Sequence, residues 1–152
     1  MSKEVLIVDD SATVRKFVSA SLSMQGFSVV AACDGMDALE KISKGKFNLV
    51  ITDLNMPTMD GLEFIKALRD NPEFHDLPVI ILTSLSDQAT KEQGAKLGVD
   101  SYVIKPFSLE KIQYEVSKYL SWTDCVPRTE DDKSGTSNNA QKGKQPWQSF
   151  LL

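Results

Sequence analysis

The chain has 152 residues, of which 41% are hydrophobic and 25% are charged, a balance typical of a globular domain with its own core. The formal net charge of −4 argues against nucleic acid as the main partner, because phosphate binding favours a basic surface. No apolar run reaches the ~18 residues of a membrane span, and the first residues lack the regions of a signal peptide. We therefore expect a cytoplasmic protein with no nucleic-acid or membrane partner, whose Cys33 and Cys125 remain free thiols.

Five apolar runs alternate along the chain with five stretches that have helical spacing of apolar residues. The predicted strands are 4–9, 27–32, 49–53, 78–83 and 101–105, and the predicted helices cover about 12–25, 35–44, 60–70, 87–96 and 108–120. Either Asp10 or Ser11 caps the first helix, and the fourth helix is polar enough that we expect loose packing. This alternation predicts an α/β fold, a flavodoxin-like (βα)5 doubly wound sheet of five parallel strands in the order 2-1-3-4-5.

Three carboxylates stand at the ends of two predicted strands that are neighbours in this order. Asp9 closes the first strand, Asp10 follows it and Asp53 ends the third, so all three converge in the crevice where open α/β sheets bind ligands. A helix cap alone would also explain Asp9 and Asp10. Because clustered carboxylates repel one another, we expect a compensating Mg2+. Asp10 and Asp53 are the candidate ligands, with the backbone carbonyl of Asn55 as a third and Asp9 acting through water.

Two more strand ends bring polar groups to the same crevice. Thr83 supplies a hydroxyl and Lys105 a mobile cation, and Ser84 can add a backbone N–H or hydroxyl. A metal, a hydroxyl and an ammonium beside a carboxylate suit an incoming phosphoryl group. In that interpretation Asp53 is the nucleophile, while Lys105 and Thr83 hold the product.

The motifs Asp9-Asp10, Asp53–Gly61, Thr83-Ser84 and Lys105-Pro106-Phe107 together resemble the receiver domain of two-component response regulators. The resemblance implies that Asp53 accepts a phosphoryl group from a histidine kinase. The chain would then catalyse only its own phosphorylation and dephosphorylation and would not be an enzyme in the usual sense. It also implies a switch pair of Thr83 and Tyr102, and a cis peptide bond between Lys105 and Pro106.

The resemblance covers about residues 3–121 of the predicted receiver domain, 1–121, and we expect no output domain behind it. The chain therefore looks like a stand-alone chemotaxis response regulator of the CheY type, with a downstream effector such as the flagellar motor switch. The apolar Leu85 departs from the polar residue that fast-cycling members often carry there, which leaves the lifetime of the phosphorylated state open.

The amino-acid composition changes at residue 122, and residues 122–152 form a predicted tail. Residues 123–145 are rich in small polar and charged residues and are expected to form a flexible linker. Trp147 and Phe150 then form a Trp-x-x-Phe pattern that resembles the C-terminal pentapeptide of chemoreceptors. This resemblance implies docking to the adaptation methyltransferase or methylesterase; folding back onto the receiver is the alternative.

Two other functions share parts of this pattern. A phosphorelay intermediate would pass the phosphoryl group from Asp53 to a histidine phosphotransfer protein. An aspartyl-phosphate phosphatase of the haloacid dehalogenase kind would need a second Asp two residues on, where this chain has Asn55. A flavodoxin is disfavoured because Asp9 and Asp10 occupy the loop that would have to hold phosphate.

His75 lies in a polar loop and is expected to be solvated.

Overall fold

The computed structural model describes residues 3–56, 58–84 and 88–120. Within them strands and helices alternate from first to last. The strands are β1 (Glu4–Val8), β2 (Ser28–Ala32), β3 (Leu49–Asp53), β4 (Val79–Thr83) and β5 (Ser101–Ile104). The helices are α1 (Ala12–Ser23), α2 (Gly35–Ile42), α3 (Gly61–Asp70), α4 (Gln88–Lys96) and α5 (Leu109–Ser117). The predictions made for Leu85, Cys125, Trp147 and Phe150 lie outside the described residues.

The strands form one sheet in the order β2-β1-β3-β4-β5, and every pairing in it is parallel. The predicted fold is thereby confirmed. Val8 pairs with Thr52 and Asp53 with Leu82, so the carboxyl ends of the central strands finish at the same edge. None of the helices in the described ranges is long and apolar enough to cross a membrane.

Each face of the sheet is covered by two or more helices because the central strands are apolar on both sides. One core cluster joins Val5 and Ile51 of the sheet to α1 and α5, and the other joins Leu6 and Val50 to α2 and α3. Successive residues alternate between the two clusters, as the two-residue period of a strand requires. Phe64 of α3 is the largest of the fully buried side chains.

Helix ends differ from their predicted positions by a few residues. The N-cap of α1 is Ser11, whose hydroxyl accepts the Val14 N–H at 3.3 Å, so the choice between Asp10 and Ser11 is decided. The predicted end of α5 near Leu120 was too late. The helix ends at Ser117 because the amides of Lys118 and Tyr119 donate to carbonyls three residues back, which tightens the last turn.

Arg69 ties the end of α3 to two loops at the amino-terminal edge of β4. Its guanidinium donates to five backbone carbonyls, at distances from 2.7 to 3.1 Å. The acceptors are Phe74, His75, Leu77, Leu97 and Gly98. His75 itself is exposed in this loop, as the sequence predicts, with its Nδ1 atom 3.2 Å from the Arg69 carbonyl.

Replacing Arg69 with lysine is expected to lower the free energy of unfolding by roughly 2–3 kcal/mol, because an ammonium has three donors and no fork with which to span both loops. Urea unfolding measures this loss. Lys66→Ala, at an exposed position of the same helix, is the control and should change stability by less than about 0.5 kcal/mol. An equally small loss for Arg69→Lys would show that the carbonyls are satisfied without the guanidinium.

Glu115 of α5 is 3% exposed and pairs with the ammonium groups of Lys111 at 3.0 Å and Lys118 at 3.1 Å. Its carboxylate also accepts the Ser101 hydroxyl. Burial alone would raise the pKa of Glu115, but these hydrogen bonds outweigh burial and hold the pKa below its ordinary value of 4.5. The ionised carboxylate therefore stabilises the fold above pH 4.5, and this stabilisation is lost as pH falls through the lowered pKa.

The variant Glu115→Gln is expected to be less stable than the wild type by roughly 1–2 kcal/mol at neutral pH. The deficit should shrink as pH falls below 4.5, because the wild-type carboxyl is then progressively protonated. Thermal unfolding of both proteins at a series of pH values measures it. A deficit that stays constant across the acid range would mean that the charge of Glu115 contributes nothing.

Candidate functional site

Three acidic side chains meet at the carboxyl edge of the sheet. Asp9 follows β1 and is fully buried, Asp53 ends β3 and is 5% exposed, and Asp10 is exposed. One carboxylate oxygen from each lies within 4.8 Å of the other two. The structure thus brings together the three carboxylates predicted from the sequence to converge.

Lys105 supplies positive charge to this group. Its ammonium lies 2.9 Å from Oδ2 of Asp9 and 3.4 Å from Oδ2 of Asp53. The Lys105 N–H donates to the Thr83 carbonyl at 2.8 Å, which fixes the end of β5 against β4. The peptide bond between Lys105 and Pro106 is cis, as the family resemblance implies.

Burial and neighbouring charges shift the pKa values of Asp53 and Lys105, which face each other in the site. Burial raises the pKa of Asp53 above 3.8, and the charge of Asp9 raises it further, while Lys105 and the Leu54 N–H oppose the shift. Burial alone would lower the pKa of Lys105, but hydrogen bonds and charges from Asp9 and Asp53 outweigh burial and raise it. Lys105 therefore remains a cation at neutral pH.

Asp9 is held on both carboxylate oxygens. Oδ1 accepts the Ser11 N–H at 2.9 Å, and Oδ2 accepts from Lys105. Its carbonyl accepts from Nη1 of Arg15 at 2.7 Å. The exposed Asp10 carboxylate is more accessible to an incoming ion, so this geometry suits the indirect role predicted for Asp9.

The backbone after Asp53 is shaped by close packing. Leu54 donates its N–H to Oδ1 of Asp53 at 2.7 Å, and Gly61 donates to the Leu54 carbonyl at 2.9 Å. A Cβ atom on Gly61 would lie only 2.1 Å from the Asp53 carbonyl oxygen, so only glycine fits there. Asp60 and Glu63 form a capping box that starts α3 directly after this contact.

The remaining predicted site residues that the structure describes follow or belong to β3, β4 and β5. Thr83 ends β4 and is buried, and Ser84 after it is exposed. Asn55 is exposed in the loop two residues beyond Asp53. Tyr102 lies in β5 with its ring packed against the core cluster beneath α4, and its hydroxyl donates to the Lys91 carbonyl at 2.8 Å. Burial raises the pKa of its hydroxyl.

Two residues that position the site were not singled out from the sequence. Arg15 holds the Asp9 carbonyl, and its place four residues after the Ser11 cap was the available signal, since it puts Arg15 one turn into α1. Gly94 lies in α4 where a Cβ atom would meet the Tyr102 hydroxyl at 1.8 Å. No sequence pattern indicates this second contact, because it depends on how α4 sits on the sheet.

The residues fit a divalent cation. Carboxylate oxygens are the ligands that Mg2+ prefers, and a single ammonium from Lys105 does not balance three carboxylates. Asp10 is exposed, Asp53 is 5% exposed, and one carboxylate oxygen of each lies within 4.8 Å of the other, with Asn55 two residues beyond Asp53. This charge balance favours an added cation over an anion entering alone.

Known proteins resemble this chain in sequence and in fold. A family model described as the response regulator receiver domain matches residues 5–117. A curated relative named Probable chemotaxis protein CheY, from Rhizobium etli, is 40% identical over 111 residues, 72% of this chain and 86% of that protein. CheY4 of Vibrio cholerae has a TM-score of 0.76 and 36% identity, covering 79% of this chain and 100% of its own. TrrA of Thermotoga maritima, solved in complex with Mg2+ and BeF, has a TM-score of 0.70 and 31% identity, covering 78% and 99%.

Several other curated relatives are named as transcriptional regulators, and the chain spans about half of their length. The region matched by the family model includes all three carboxylates, Thr83, Tyr102 and Lys105. The fold, the strand order and this match agree with one another. The chain therefore belongs to the response regulator receiver domain family of two-component signalling systems.

Proposed function

We propose that this protein is a signalling switch that accepts a phosphoryl group on Asp53, and that Mg2+ bound by Asp10, Asp53 and the Asn55 carbonyl is needed for the transfer. The observation that carries the proposal is that the Asp53 carboxylate belongs to the acidic cluster and also lies 3.4 Å from the Lys105 ammonium. The Mg2+ seen with TrrA supports the choice of metal. Asp9 would act through water, because it is fully buried, whereas Asp10 is exposed.

In the transfer step, the donor is a phosphohistidine of the proposed kinase. An Asp53 oxygen forms a bond to its phosphorus as the bond from phosphorus to the imidazole nitrogen breaks. The leaving imidazole keeps that electron pair and takes up a proton from solvent. Mg2+ held by Asp10, Asp53 and the Asn55 carbonyl would supply positive charge to the phosphoryl oxygens. Lys105 would leave Asp53 to pair with the phosphoryl group, and Thr83 would donate its hydroxyl to it. The switch would then be completed by movement of Tyr102.

Chemotaxis is the signalling pathway that we propose. Two similar proteins are named as chemotaxis proteins, and the chain spans 86% of one and 100% of the other. A histidine kinase would be the donor and an effector such as the flagellar motor switch would be the target, both in the cytoplasm. The relatives named as transcriptional regulators are matched over only about half their length, so they support the receiver rather than the output.

The test is incubation of the full chain with a small phosphodonor, acetyl phosphate, with Mg2+ or with EDTA. We expect a mass increase of one phosphoryl group that requires Mg2+ and maps to Asp53. A phosphoryl group on another residue, or equal labelling in EDTA, would refute the proposal.

Transfer from chemotaxis and other histidine kinases then identifies the donor. Chase of the label onto a histidine phosphotransfer protein, with no phosphorylation-dependent effector binding, would favour the relay.

We also propose that the chain divides into a receiver, 1–121, and a tail, 122–152, whose Trp147 and Phe150 bind an adaptation methyltransferase or methylesterase. The spacing of these aromatics after a polar stretch supports this, because a tethered motif raises the local concentration of its carrier. Deleting residues 146–152 should abolish binding to the methyltransferase in a pull-down. Unchanged binding would remove the docking role.

A further inference from the structure

Helix α4 is weakly anchored to the sheet along its middle. None of its described apolar side chains is buried, and its buried residue is Gly94. Its carboxyl end is better held, because Arg69 donates to the carbonyls of Leu97 and Gly98 and because Leu97 packs against the core. The middle of the helix therefore depends on what lies beneath Gly94.

The Tyr102 phenol is the nearest group there, and Cδ1 of Ile81 lies at an ordinary contact distance of 3.4 Å from the same Cβ position. A Cβ atom on residue 94 would lie 1.8 Å from the Tyr102 hydroxyl oxygen and 2.9 Å from the ring carbon that bears it. The phenol therefore fills the space that a side chain at this position would take. Its hydroxyl also donates to the carbonyl of Lys91, one turn earlier on the same helix. One side chain of β5 thus packs against α4 and hydrogen-bonds to it.

We infer that Gly94 forms a notch in α4 that receives the Tyr102 phenol, and that this contact holds the middle of α4 against the sheet. Rotation of Tyr102 out of the notch and loosening of α4 are then a single event. Gly94 is a positioning residue, because it acts on the switch only through Tyr102. The signalling consequence rests on the proposed function, whereas the contact itself needs neither metal nor phosphoryl group.

The variant Gly94→Ala gives a test in which two effects have opposite signs. Alanine favours a helix over glycine, so an ordinary exposed position would become more ordered. A methyl group in the notch would instead expel the phenol and loosen α4. We expect the amides of residues 88–96 to exchange hydrogen about tenfold faster in the variant than in the wild type. The pKa of one tyrosine should also fall towards its ordinary value, since Tyr102 loses its burial.

The experiment uses the full chain without added phosphodonor, with Gln93→Ala as the matched control at an exposed neighbouring position. Slower or unchanged exchange of α4 in Gly94→Ala would overturn the inference. Tyr102→Leu covers the case in which Gly94→Ala fails to fold, because it empties the notch without adding an atom and should speed exchange similarly. In the double variant the alanine should no longer speed exchange relative to Tyr102→Leu alone; continued acceleration would contradict the notch.

A second arm adds Mg2+ and beryllofluoride to the wild type as a phosphoryl mimic. Altered exchange in α4 would support the coupling of Tyr102 to the site. Unaltered exchange, with the difference between Gly94→Ala and the wild type intact, would refute the proposed switch while leaving the notch established. The two proposals can therefore fail separately.

Discussion

Replacing Asp53 with asparagine is expected to abolish phosphorylation of the protein and, at the same time, to make its fold more stable. The phosphoryl group is lost because an amide is not a nucleophile towards phosphorus at neutral pH. Stability rises because the wild-type carboxylate is 5% exposed and lies beside the fully buried Asp9, a placement that raises its pKa. A neutral side chain of the same shape avoids that cost and still accepts the Leu54 N–H.

We expect the free energy of unfolding of Asp53→Asn to exceed that of the wild type by about 1 kcal/mol at neutral pH without Mg2+. The folded-state pKa of Asp53 lies above 3.8, so the wild type loses stability as pH rises from 3.8 through the raised pKa. The advantage of the variant should therefore vanish in acid. Urea unfolding at several pH values measures it.

Glu73→Gln neutralises an exposed carboxylate in the loop after α3 and should leave both stability and phosphorylation unchanged. Phosphorylation of Asp53→Asn at the wild-type level would place the acceptor elsewhere. A less stable variant would mean that Asp53 and Lys105 stabilise the fold as a pair more than burial of the carboxylate costs.

The sheet was predictable because its central strands are apolar on both faces and end in polar or charged residues. Leu49–Asp53 shows both properties, and parallel strands with right-handed crossovers leave few ways to connect them. The convergence of Asp9, Asp10 and Asp53 follows from that topology alone. Local signals did less well at helix ends, where the tightened turn after Ser117 depends on hydrogen bonds that spacing does not reveal.

The sequence could not predict which hydrogen bonds each side-chain atom of the site makes. Nothing in the motif says that both oxygens of Asp9 are already bonded, to Ser11 and to Lys105, while Asp10 stays exposed. The notch at Gly94 could not be predicted either, because in the sequence a glycine within a polar helix indicates only a lower helix propensity and not a packing contact. Such details depend on side chains from elements far apart in the chain, and only the packed fold specifies them.

Lys105 is expected to influence how strongly Mg2+ stabilises the fold. In this structure its ammonium is the counter-ion of two carboxylates, and both are buried. Replacing it with methionine keeps the length of the side chain but leaves Asp9 and Asp53 without a cation. We expect Lys105→Met to lower the free energy of unfolding by about 2–3 kcal/mol without Mg2+, since breaking a buried pair strands the remaining charge.

Added Mg2+ should recover much of that loss, because the metal and the ammonium neutralise the same carboxylates. The stabilisation by Mg2+ should then be larger in Lys105→Met than in the wild type, although phosphorylation falls because the phosphoryl group loses its ammonium partner. Urea unfolding of both proteins across a series of Mg2+ concentrations measures this difference, with Lys66→Met on the exposed face of α3 as the control. A deficit independent of Mg2+ would show that the ion binds away from the carboxylates that Lys105 contacts, and the site would have to be redrawn around Asp10.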